Sequence, residues 1–97
     1  MTNFNGCLKR QNLYLDLPPK TAVFFSKTWE PNLIPSEEAV LELFFDPETE
    51  AYCVIPLKHL SVFLVSGQPL GTQRQYHLRR KTILSLDPTG SNEVELL

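Results

Sequence analysis

Cys7, Cys53, His59 and His77 are the side chains best suited to hold a metal or to act as nucleophile and base. Thiolate and imidazole are ordinary zinc ligands, but structural zinc sites draw them in closely spaced pairs, and these four form no such pair. Cys53 and His59 could serve as nucleophile and base, a chemistry that also needs a third group to orient the base and a cleft for substrate. Cys53 sits inside the apolar run Ala51–Pro56, where a thiol ordinarily packs as a small hydrophobe. Neither Ser61 nor Ser85 has a nucleophile-elbow motif around it. Glu37, Glu38, Glu42, Asp46, Glu48 and Glu50 surround one hairpin and read as its wet face and turn. The four glycines are scattered, so no phosphate-cradling loop is expected. The reading is a protein without catalytic function, metal or cofactor.

Two other groups of residues could do work by contact. Arg74, His77, Arg79, Arg80 and Lys81 cluster around Tyr76. Cations interleaved with a stackable ring on a β surface can bind single-stranded nucleic acid, and they equally well protect a sheet edge from aggregation. The second group is aromatic: Phe4, Phe24, Phe25, Trp29, Phe44, Phe45, Tyr52 and Phe63. Neighbours such as Phe24 and Phe25, or Phe44 and Phe45, must point to opposite sides of a strand. One ring of each pair is therefore exposed unless both sides are covered, and an exposed aromatic patch marks a partner surface.

These side chains must be positioned by short strands. The apolar runs Ala39–Phe45 and Ala51–Pro56 flank a turn at Asp46–Glu50, and Leu60–Val65 follows before Ser66–Pro69. Apolar runs punctuated by Pro, Gly and Asp read as antiparallel β structure. Asn12–Leu17 alternates, placing Leu13, Leu15 and Leu17 on one face, and Pro18-Pro19 ends it. Thr21–Ser26 is a second strand, and 27–35, with two prolines, an ordered loop pinned by Trp29. Gln73–Arg79 alternates with Tyr76 and Leu78 on one face and His77 and Arg79 on the other. Lys81–Asp87 is a strand burying Ile83 and Leu84, Asp87–Gly90 a type I turn, and Glu93–Leu97 the last strand. Residues 36–43 carry two readings. Ser36 with Glu37 and Glu38 makes a good helix start, but the apolar run ends at Pro47 after too few turns, so a strand is preferred to a short helix. The expectation is about eight strands forming one all-β domain over residues 1–97, a small antiparallel β-sandwich or jelly roll.

Composition agrees with one small globule. Hydrophobic residues make up 42% of the 97 and charged ones 21%, too apolar for disorder. A chain of this length buries roughly two-thirds of its unfolded surface, so oligomerisation is a natural source of further burial. A net charge of −2 steers weakly toward nucleic acid or anionic membrane. Two cysteines are few for a secreted domain of this size. Residues 1–6 do not resemble a signal peptide, and no apolar run approaches the ~20 residues that span a bilayer. The expectation is an intracellular protein, cytoplasmic or nuclear, with reduced thiols and no membrane segment.

The order of features is similar to one known family. The chain opens with Phe4, Gly6 and Leu8, continues through Val40–Asp46, a turn and Glu50–Leu57, and closes with Lys81–Leu96 around a glycine-serine turn. In this order it resembles the nucleoplasmin-like core domain, the family of nucleoplasmins and of the N-terminal domains of some nuclear prolyl isomerases. The resemblance implies an eight-stranded jelly roll that forms a ring-like pentamer and acts as a histone chaperone or assembly core. Together the readings give a non-catalytic, oligomeric protein-interaction domain, with Phe24, Trp29, Phe44, Phe45 and Phe63 as its partner or oligomer interface. The alternative is a nucleic-acid-binding β domain that uses Arg74, Tyr76, His77, Arg79, Arg80 and Lys81.

Overall fold

The computed structural model describes residues 6–90 and 92–97, so Phe4 in the opening and Ser91 in the closing turn lie outside the described residues. The described chain is all-β. Its strands are β1 Gly6–Arg10, β2 Leu13–Leu17, β3 Val23–Ser26, β4 Pro31–Asn32, β5 Ala39–Asp46, β6 Ala51–Pro56, β7 Phe63–Leu64, β8 Tyr76–Leu78, β9 Ile83–Ser85 and β10 Glu93–Leu96. They form two antiparallel five-stranded sheets, ordered β2-β1-β10-β9-β7 and β4-β3-β5-β6-β8, packed as a β-sandwich. Relative to the sequence expectation, β1 and the two-residue β4 are added, and the strands expected over 60–65 and 73–79 shorten to β7 and β8.

Residues 39–46 are a strand, and 36–38 an exposed turn in which the Ser36 carbonyl accepts from the Ala39 amide at 3.2 Å. The cause lies in the sequence period. Leu41, Leu43 and Phe45 alternate with Glu42, Phe44 and Asp46, and β5 is paired on both sides, by β3 and β6. Asp46 then ends the strand by accepting, through Oδ1, the Glu48 amide at 3.0 Å. The two-residue turn between β1 and β2 has Gln11 at φ 55°, a hairpin geometry whose twist matches that of the flanking strands.

Between the sheets lie Leu8, Leu17, Val23, Phe25, Leu41, Leu43, Phe45, Tyr52, Val54, Leu84, Val94 and Leu96, all buried. Burying each large side chain contributes about 1.5–3 kcal/mol, so this layer supplies the main driving force for folding. Tyr52 adds a polar tie across it. Its hydroxyl accepts the Cys7 amide at 2.8 Å and stands within hydrogen-bond reach of the Cys7 and Leu97 carbonyls, linking β6 to the opposite sheet. Gly6 fits flat against this pair: a Cβ there would stand 2.8 Å from Phe45 Cβ and 2.9 Å from Tyr52 Cε2.

Candidate functional site

Strand alternation divides the adjacent phenylalanines as the sequence requires. Phe25 and Phe45 are fully buried in the core, whereas Phe24 and Phe44 lie half-buried on the opposite face of the same sheet. Cross-strand partners share a face, so the register builds this outer surface row by row. One row runs Asn32, Phe24, Glu42, Ile55, and the next Phe44, Cys53, His77. Around Phe44 and Cys53 lies a shallow hollow of about 350 Å³, lined also by Glu42, Asp46, Ile55, Gln75 and His77. The surface is thus an apolar centre of half-buried Phe24, Phe44 and Ile55 over the buried Cys53, with carboxylates and an imidazole among and around it. The described strands form two sheets and no third layer to cover it.

The other residues expected at an interface are buried. Phe45 packs on Tyr52 with ring centroids 4.9 Å apart and carries the Arg80 guanidinium 5.1 Å from its own centroid. Phe63 is buried. Trp29 is buried edge-on to Phe25 at 5.5 Å, and its indole N–H donates to the Asn92 carbonyl at 3.2 Å. This bond anchors the 27–35 loop on the far end of the chain, the pinning role expected of Trp29. The interface reading is therefore carried by Phe24 and Phe44, joined by Ile55, which sequence reasoning did not single out.

The basic segment disperses. Tyr76 turns inward with Leu78 against the core, and its hydroxyl accepts the Gly71 amide at 2.6 Å, which closes a loop and leaves the ring unfit as a stacking platform. Arg80 is half-buried, donating to the Leu97 carbonyl at 2.6 Å and lying 3.5 Å from the Glu50 carboxylate. His77 joins the outer face already described. Arg74, Arg79 and Lys81 remain exposed.

The thiols and imidazoles do not converge either. Cys53 Sγ lies 3.4 Å from His77 Nδ1 across the β6–β8 pairing, while His59 is exposed in the loop before β7. Sequence spacing pointed to His59, and only the strand register reveals His77. Nucleophilic catalysis by the pair would need a group orienting the imidazole from its other nitrogen, and no described side chain does so. Cys7 sits on the other sheet beside Asp16, where burial and then the carboxylate push its thiol pKa up, away from thiolate reactivity. Among the described residues no three His, Cys, Asp or Glu side chains are grouped to hold a metal, and no helix is long and apolar enough to cross a membrane. A scan of the chain against protein-family models finds no match, and a search of curated proteins finds none either.

Proposed function

We propose that this chain is a non-catalytic protein-interaction domain that associates with copies of itself through the outer face of the β4-β3-β5-β6-β8 sheet. The observation that carries the reading is the placement of Phe24, Phe44 and Ile55 together on a sheet face that no third layer of the described residues covers. Such a face behaves as a core cut in half, with Glu42, Asp46 and His77 as the polar groups that give it orientation. Five strands at ~4.8 Å spacing, carrying an eight-residue central strand, offer on the order of 500 Å². That is below the ~800 Å² per partner of a standard stable interface, so the assembly should dissociate on dilution. In the form implied by the resemblance to nucleoplasmin-like cores, this face meets a second patch on the next copy, and the assembly is a ring-like pentamer that serves as a histone chaperone or platform.

Light scattering behind a sizing column, at two protein concentrations well apart, tests this. The proposal expects a mass above the monomer that falls on dilution, and a pentamer would favour the nucleoplasmin-like form. A dimer would keep self-association and remove that form. A monomer at both concentrations would overturn the reading.

A further inference from the structure

The two sheets do not meet along their whole length. Register pairs Gly6 with Leu17, Leu8 with Leu15 and Arg10 with Leu13, so all six share the inner face of the first sheet. Along β2, however, burial decays from Leu17, 1% exposed, through half-buried Leu15 to Leu13, 69% exposed. Among the described residues, an inner-face leucine in that condition has no strand opposite it. The edge strand that should cover it, β4, is two residues long. What remains is a wedge of about 290 Å³ between the edges, with Leu8, Leu13, Leu15, Phe25, Trp29 and Val94 in its walls.

Two features make this more than a frayed corner. The volume is close to the lower end of the ~300–1,000 Å³ typical of small-molecule sites, and its exposed apolar wall favours contact with an apolar chain. Arg10 also lines it, and register sets its half-buried side chain on the inner face. Its Nη1 donates to the Thr28 carbonyl at 3.1 Å, and no described carboxylate forms an ion pair with it. A guanidinium has five N–H donors in a planar fork suited to carboxylate or phosphate, so most of its capacity is free at this site.

We propose that the wedge between β2 and β4 binds a small amphiphile, its apolar chain against Leu13 and Leu15 beside the edge of Trp29 and its anionic head group at Arg10. The site lies between the sheets, so it stands independently of self-association through the outer face.

Trp29 is the chain's single tryptophan and lines the wedge, so its fluorescence reports occupancy directly. The probe is decanoate, titrated below its micellar range at fixed protein concentration, with decanol as the uncharged control and decyl phosphate as the alternative head group. The expected result is a saturable change with one decanoate per chain, and weaker binding of decanol. Arg10→Gln should lower decanoate affinity about tenfold or more, as expected for loss of a charge-assisted hydrogen bond, and leave decanol unchanged. Leu13→Asp, at an already exposed position, should abolish decanoate binding while the far-ultraviolet circular dichroism stays native. Tighter binding of decyl phosphate than decanoate would name phosphate as the preferred head group and still support the site. Equal affinities for decanoate and decanol would overturn the role of Arg10, and no saturable change with any probe would overturn the site.

Discussion

The two outer faces of this sandwich are built by the same pleat and differ in what they show to water. On the first sheet, cross-strand pairs place Lys9 beside Tyr14 and Glu95, and Cys7 beside Asp16. Lys9 lies 5.9 Å from the Tyr14 ring centroid, and the carboxylates stand among them. Ile83 beside Glu95, and Phe63 beside Ser85, are the apolar side chains that share this face, which otherwise follows the rule of apolar in and polar out for an antiparallel sheet with one wet side. The second sheet departs from that rule further, because its two phenylalanines Phe24 and Phe44 and Ile55 gather at its centre, where the first sheet sets Lys9 beside Glu95. A strand apolar on both sides is the pattern of a strand covered on both sides. The contrast is what motivates the proposal that a second copy covers the second sheet.

The comparison between inward and outward rings can be broken by substitution. Phe45→Ala removes a fully buried ring from contact with Tyr52 and Arg80, and should cost about 3–5 kcal/mol in urea unfolding. Its neighbour Phe44→Ala should cost the isolated chain about 1 kcal/mol or less, because the outward ring is only half-buried. Equal costs would mean that the two faces are not distinct. Between these extremes, Tyr52→Phe leaves the Cys7 amide without its partner and should cost about 1–3 kcal/mol. Gly6→Ala should cost a similar ~1–3 kcal/mol, since the new methyl would press on buried Phe45 and Tyr52.

Tyr52 also makes a pH prediction. Burial raises its phenol above its ordinary value, with the backbone bond to Cys7 and the charge of Arg80 opposing. The folded state therefore holds this proton more tightly than the unfolded chain. The stabilisation is fully present below the ordinary phenol range near ~10 and is lost as pH rises through the higher folded value. Wild type should lose urea resistance above that range, and Tyr52→Phe should show a smaller loss over the same interval. Identical pH profiles would remove the phenol from the linkage.

Much of this contrast was legible before any coordinates. The hairpin around Asp46–Glu50, the strand over 39–46 and the splitting of the two phenylalanine pairs follow from local period and turn chemistry, which are written residue by residue. What period cannot give is register over long separations. Phe45 reads as a surface candidate because its apolar character is visible and the sheet opposite it is not. The burial of Trp29 depends on Asn92, and the approach of Cys53 to His77 depends on β8 pairing with β6. Tyr76 looked like a stacking platform until its hydroxyl was placed on the Gly71 amide, five residues away around a loop. β1 was missed because its inner face carries Gly6, Leu8 and Arg10, a pattern that reads as no strand at all.

The most direct test of the central claim compares the two faces in a single experiment: the native mass of wild type, Phe44→Glu and Tyr14→Glu at the same high concentration. The account predicts that wild type and Tyr14→Glu share one mass above the monomer, while Phe44→Glu is a folded monomer. A monomeric wild type, or a Phe44→Glu variant with unchanged mass, would contradict it.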